Sequence, residues 1–236
     1  MIRNLKALGL ALIAVFAMSA LMASAAQAQG KFTVEAGTQE LTGTQDDEEG
    51  QNTATGLQVF ETTSGKVQCD EVHGQVLSGK FNETEVTAQN IHYQNNGKVD
   101  QCSGPFSTSP KIEFNGCDYT FTVGETIGET GMETTSNQVH IKCPVGKQIT
   151  ITAPFCQIHV PEQTIQMTAA GDHVVFHTIT GTPDDVTVDA HVTGIHYQGT
   201  ELCSSGTAGV YDGNVTVKGY KSTTHDSQQQ TNIEVH

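Results

Sequence analysis

Between residues 31 and 220 the apolar residues fall into short runs in which Val, Ile or an aromatic alternates with Thr, Gln or His. Gly, Asn, Asp or Pro separates most of these runs. Thr and Val at alternating positions suit a pleated surface buried on one side, and few segments offer the spacing of an amphipathic helix. Strands are expected at 31–36, 57–61, 66–76, 83–94, 111–123, 138–143, 148–153, 156–160, 164–168, 173–180, 186–198 and 209–220. Many short strands at such intervals predict an all-β fold of antiparallel strands, sandwich- or barrel-like. Residues 37–56 read as a polar loop. Its run Asp46-Asp47-Glu48-Glu49 lacks the alternate ligand spacing and glycine turn of a calcium loop, and reads as solvated.

Two stretches are alike. Val86-Thr87 leads to Ile91-His92-Tyr93-Gln94 and then Cys102; Val186-Thr187 leads to Ile195-His196-Tyr197-Gln198 and then Cys203. We read a duplicated hairpin, and with it two similar β-rich halves at 29–124 and 138–220, joined near 124–137. In a strand, the residues flanking a histidine share the opposite face. Ile91, Tyr93, Ile195 and Tyr197 are therefore expected to be buried, with His92 and His196 outside. The polar tail at 221–236 is expected to be flexible, with a weak last strand at 233–236.

Apolar residues are scarce for this length, so covalent staples matter. The cysteines are Cys69, Cys102, Cys117, Cys143, Cys156 and Cys203. An even count in an exported chain argues for disulfides, and no C-x-x-C spacing marks a zinc site. Register selects one pair. If Cys117 opposes Cys143 in a hairpin, partner numbers sum to 260, and Tyr119 meets Ile141 while Phe121 meets Val139. All of these fall on one face, and slippage by one residue would break the agreement. The remaining cysteines pair most simply within each half, as Cys69–Cys102 and Cys156–Cys203.

The N-terminus directs export. Arg3 and Lys6 precede an apolar stretch at 7–22, interrupted only by Ser19, and small residues then stand at −3 and −1 of a cut after Ala28. This is a secretory signal peptide at 1–28, its apolar stretch shorter than the roughly 20 residues of a membrane span. No cysteine follows the cut to carry a lipid, and no second apolar run follows. A secreted, extracellular chain without a lipid anchor or membrane insertion is expected. Removing 1–28 takes away two of 11 basic and none of 26 acidic residues, leaving 9 − 26 = −17. Such a charge disfavours nucleic acid and leaves cationic or protein ligands as the expected partners.

Signatures of chemistry are few. The segment 173–193 places Val174, Phe176, Val186, Val188, Ala190 and Val192 on one face and His173, His177, Asp189 and His191 on the other. If partner numbers there sum to 366, His177 faces Asp189. Imidazoles with a carboxylate make an acceptable zinc or copper set, or a pH-sensitive patch, but equally the wet face of a sheet. No catalytic residue is assigned: G-x-S-x-G is missing, and the cysteines are committed to bridges. No cofactor is expected, since phosphate-binding glycine loops are missing too. Tyr93, Tyr197, Tyr211 and Tyr220 offer partial stacking surfaces for sugars in a chain without Trp.

Several strings occur together: Arg3…Lys6-Ala-Leu-Gly-Leu-Ala-Leu, Cys143-Pro-Val-Gly-Lys147, Cys156-Gln-Ile-His-Val-Pro-Glu-Gln163 and Gly213-Asn-Val-Thr-Val-Lys-Gly-Tyr220. With them the chain resembles a group of exported, cysteine-containing β-rich proteins of bacterial genomes. The resemblance implies export and an all-β fold, and brings no active site to carry over. The expected function is a non-catalytic binding or structural module of the envelope or extracellular space. A secreted metal- or carboxylate-dependent hydrolase is the alternative.

Overall fold

The computed structural model describes residues 30–38, 40–44, 57–77, 81–82, 84–105, 108–127, 132–221 and 229–236. The expected signal peptide, the acidic run at 46–49 and tail residues 222–228 lie outside the described residues. In the first part of the chain run β1 (Phe32–Val34), β2 (Glu40–Thr44), β3 (Gln58–Thr62), β4 (Gly65–Cys69), β5 (Glu71–Leu77), β6 (Phe81–Asn82), β7 (Glu85–Asn95), β8 (Lys98–Val99), β9 (Lys111–Glu113) and β10 (Asp118–Ile127). There follow β11 (Glu133–Lys142), β12 (Ile149–Ala153), β13 (Cys156–Val160), β14 (Gln163–Gln166), β15 (His173–Ile179), β16 (Asp185–Gly199), β17 (Gly206–Tyr220), β18 (Gln230–Thr231) and β19 (Ile233–Val235). The chain is all-β, as the alternation predicts.

The strands close a ring. β2 pairs with β5, β5 with β7, β7 with β10, β10 with β11, β11 with β15, β15 with β16, β16 with β17, and β17 returns to β2. Every one of these pairings is antiparallel, and the order around the ring is the order along the chain. This is an eight-stranded up-and-down barrel. Alternation turns Val174, Phe176, Val186, Val188 and Val192 into the interior. Outward positions carry charge, as where His177 meets Glu133 at 3.2 Å. The apolar side is thus the inside, the reverse of a barrel that faces lipid.

The two halves are legible in this ring. Each supplies four consecutive ring strands, β2-β5-β7-β10 and β11-β15-β16-β17. Each also inserts a hairpin, β3/β4 or β12/β13, between its first two ring strands. The exchange is reciprocal: β3 pairs with the start of β17, and β12 pairs with β9, which leads into β10. The connection expected at 124–137 is largely strand, since β10 runs on to Ile127 and β11 begins at Glu133, and the pairing of β10 with β11 gives the halves one barrel and one core. In both, a left-handed residue precedes Ile-His-Tyr-Gln: Asn90 at φ 52° and Gly194 at φ 76°. Register shifts accompany both, the bulge geometry that bends a strand around a barrel.

Three expectations need correction. The segment at 37–56 contains β2, which closes the ring. The runs at 66–76 and 111–123 each divide into two strands. The last strand read at 233–236 is present as β19, and it is firmer than the flexible tail expected around it: Ile233 and Val235 are buried, and β19 pairs with β1 across one mouth of the barrel. There Phe32 meets Phe176 edge-on at 4.8 Å, and Val235 N donates to Thr178 Oγ1 at 2.9 Å.

Disulfides join Cys69–Cys102, Cys117–Cys143 and Cys156–Cys203, the pairs expected from register and duplication. Tyr119 lies opposite Ile141 and Phe121 opposite Val139, the register derived for the central hairpin. Three disulfides are the mark of an oxidising environment, extracellular or periplasmic. No helix among the described residues is long and apolar enough to cross a membrane. Non-reducing peptide mapping should return these three crosslinks and no Cys69–Cys203 peptide. Replacing both Cys69 and Cys102 by Ala should lower stability by about 3–4 kcal/mol in urea unfolding, from a loop separation of 33 residues.

Candidate functional site

The proposed histidine cluster separates into pairs. The β15/β16 register sums to 364 rather than 366, because His173 lies opposite His191, Val175 opposite Asp189 and His177 opposite Thr187. The cause is Asp184. Its carboxylate accepts from Gly181 N at 2.7 Å, its N–H donates to Asn232 Oδ1 at 3.0 Å, and its carbonyl accepts from Ile233 N at 3.1 Å. Held in the loop by β19, it leaves Asp185 to open the strand. The shift keeps every side chain on its expected face. His173 meets Asp189 at 3.5 Å and stacks on His191 at 5.8 Å between ring centres. His191 is paired in turn with Asp212, and His177 with Glu133. Each imidazole has its own carboxylate on the convex outer wall. Among the described residues no three His, Cys, Asp or Glu side chains converge to hold a metal.

The inside of the barrel is different. Its side chains leave a cavity of about 190 Å³ running from Phe32 at the capped mouth to Ile149 at the other end. Aromatic rings follow one another along it. Tyr93 stacks with Phe114 at 5.6 Å, Phe114 meets Tyr119 edge-on at 5.4 Å, and Tyr119 leads to Phe121 at 6.4 Å. Phe121 then meets Phe176 at 5.9 Å, and Phe176 meets Phe32. Edge-to-face geometry of this kind is the favoured one for aromatic quadrupoles.

One polar group breaks the apolar lining. Tyr93 Oη donates to Tyr211 Oη at 3.3 Å, Tyr211 Oη donates to Gln58 Oε1, and Gln58 Nε2 donates to the Asn214 carbonyl at 2.7 Å. Tyr119 also lines the cavity and joins Tyr93 through Phe114, which stacks on Tyr93 and meets Tyr119 edge-on. Local structure sets each member. Tyr93 faces inward from the bulged Ile-His-Tyr-Gln string, and β3 carries Gln58 to the wall through its pairing with β17. Gly213 makes room: a Cβ there would stand 2.2 Å from Gln58 Oε1 and 2.5 Å from Tyr211 Oη. Gln58 is 1% exposed, so its amide has to be satisfied within the protein. Tyr119 and Tyr211 keep some accessible surface, as side chains bordering an internal cavity do.

Of the tyrosines expected as stacking surfaces, Tyr93 and Tyr211 enter this cluster. Tyr197 instead accepts from Thr63 N at 3.1 Å, anchoring the β3/β4 turn. Tyr119 belongs to the central hairpin's register and Gly213 to the string that ends at Tyr220, but nothing in sequence marks either of them, or Gln58, as part of a polar cluster. Compared with protein-family models, curated proteins and solved structures, the chain matches none. Fold and cavity therefore define it as a disulfide-stapled, closed antiparallel barrel with an aromatic interior.

Burial raises the phenol pKa of all three clustered tyrosines, Tyr211 to about 12 and Tyr93 and Tyr119 upward as well. The folded barrel keeps protons that the unfolded chain releases above about pH 10. The stability they contribute is complete below that pH and falls as pH rises toward and through the folded values. The expected loss is about 1.4 kcal/mol per pH unit for each tyrosine still protonated in the fold. Urea unfolding should show this slope setting in above about pH 10, and Tyr211→Phe should flatten it by one residue's share.

Proposed function

We propose that this protein is an exported, non-catalytic binding module whose barrel holds a small, mainly apolar molecule. The observation that carries the reading is an apolar cavity inside the barrel with a few convergent polar groups, the combination typical of small-molecule sites. The signal peptide at 1–28 accounts for export, and the disulfides suit the compartment it leads to. Action in the envelope or outside the cell follows. The hydrolase alternative draws little from the geometry. Histidines sit with single carboxylates on the outer wall, the polar cluster inside is made of phenols and an amide, and the lining carboxylate Glu234 lies at the capped mouth paired with His236.

Methyl-detected NMR titration with toluene tests the reading. Saturable shifts at Val188 and Val215, both on the cavity wall, are expected. The variant Ala190→Phe, which fills the same wall, should lose them. Unmoved methyls at saturating toluene would leave a purely structural role in place of binding.

A further inference from the structure

The geometry points to a neutral, single-ring aromatic ligand bearing a hydroxyl group, a phenol in chemical class, with its hydroxyl on the Tyr93–Tyr119 pair. The inference rests on the binding reading above and narrows it.

Size comes first. At about 190 Å³ the cavity is slightly larger than the roughly 150 Å³ engineered cavity known to take benzene, so its volume admits one substituted ring. Shape comes next: the edge-to-face series from Phe114 through Tyr119 and Phe121 to Phe176 offers a further ring the contacts its members already make with one another.

Charge is decided by the lining. Tyr93, Tyr119, Tyr211 and Gln58 are neutral donors and acceptors, and among the described residues no Lys, Arg or His lines the cavity. An anionic ligand would lie in an apolar interior without a counter-charge, at prohibitive cost. A cation would have to reach Glu234, at the capped mouth, away from the phenols and already paired with His236 at 3.1 Å.

The wiring of the hydrogen bonds selects the hydroxyl. A backbone carbonyl accepts only, so Asn214 fixes Gln58 with Nε2 toward it and Oε1 toward Tyr211. Tyr211 must then donate to Gln58, and Tyr93 must donate to Tyr211. Every proton in the relay is directed toward Asn214. What is left at the open end is acceptor capacity on the Tyr93 and Tyr119 oxygens, together with one rotatable hydroxyl. A ligand O–H both donates into that capacity and accepts from the rotatable hydroxyl; an ether only accepts.

Calorimetric titration of the intact, oxidised protein with phenol, anisole, benzene and benzoate tests this. Phenol should bind about three- to tenfold tighter than benzene, the span of one neutral hydrogen bond. Anisole, which can only accept, should gain less over benzene than phenol does, and benzoate should not bind. Tyr119→Phe, which removes the rotatable hydroxyl and one of the two acceptors, should reduce the preference for phenol while keeping benzene binding, which also reports that the variant is folded. Equal affinity for phenol and benzene, anisole matching phenol, or benzoate binding would each overturn the hydroxyl-ligand assignment and leave the apolar-cavity reading standing. Binding of none of the four would overturn both.

Discussion

Closure of the ring by β17 against β2 is the constraint on which everything else depends. Five residue pairs, from Thr216 with Thr44 to Tyr220 with Glu40, join the last long strand to the first ring strand. Without them the sheet would have two exposed edges and a curved apolar face open to water. With them the same alternation that makes each strand half-buried makes a sealed interior. The β1/β19 ribbon then has a mouth to cover, and the inserted hairpins have long strands to extend. The cavity is a consequence of this closure, since side chains pointing into an eight-stranded barrel only just fill it.

The twofold repetition explains how so little apolar material suffices. Each half lends a hairpin to the other, so β3 rests on β17 and β12 on β9. Bridges Cys69–Cys102 and Cys156–Cys203 tie each hairpin back to the end of its own half's third ring strand. The core is consequently continuous across the repeat boundary. The halves diverge at one matched position: Tyr93 enters the polar cluster, whereas Tyr197 anchors a turn. The cavity's polar group lies where the repetition breaks.

Much of this was legible in residue patterns, and the exceptions have physical causes. The Cys117–Cys143 register could be read because aromatic–aliphatic pairs and the bridge agreed on a single alignment. The inward Ile and Tyr of both Ile-His-Tyr-Gln strings could be read because period two leaves no other choice. Strand β2 could not: Glu40-Leu-Thr-Gly-Thr44 is polar enough to pass for loop, and its strand character comes from partners on both sides. The β15/β16 register escaped by one pairing step because Asp184 is held by β19, nearly fifty residues further on. Register in a hairpin is set by its turn, and this turn is fixed by a tertiary contact. The cavity was hidden for the same reason. Tyr119 and Gln58 become neighbours of Tyr93 and Tyr211 only when the ring is shut.

Amide hydrogen exchange along β2 tests that closure most directly. In a closed barrel successive amides face β5 and β17 by turns, so Leu41, Thr42 and Gly43 should all exchange slowly, to the same depth as the β10/β11 hairpin. If every second β2 amide exchanged at the rate of an exposed edge while the others stayed protected, the ring would be open, and both the sealed interior and the ligand it is proposed to hold would be lost with it.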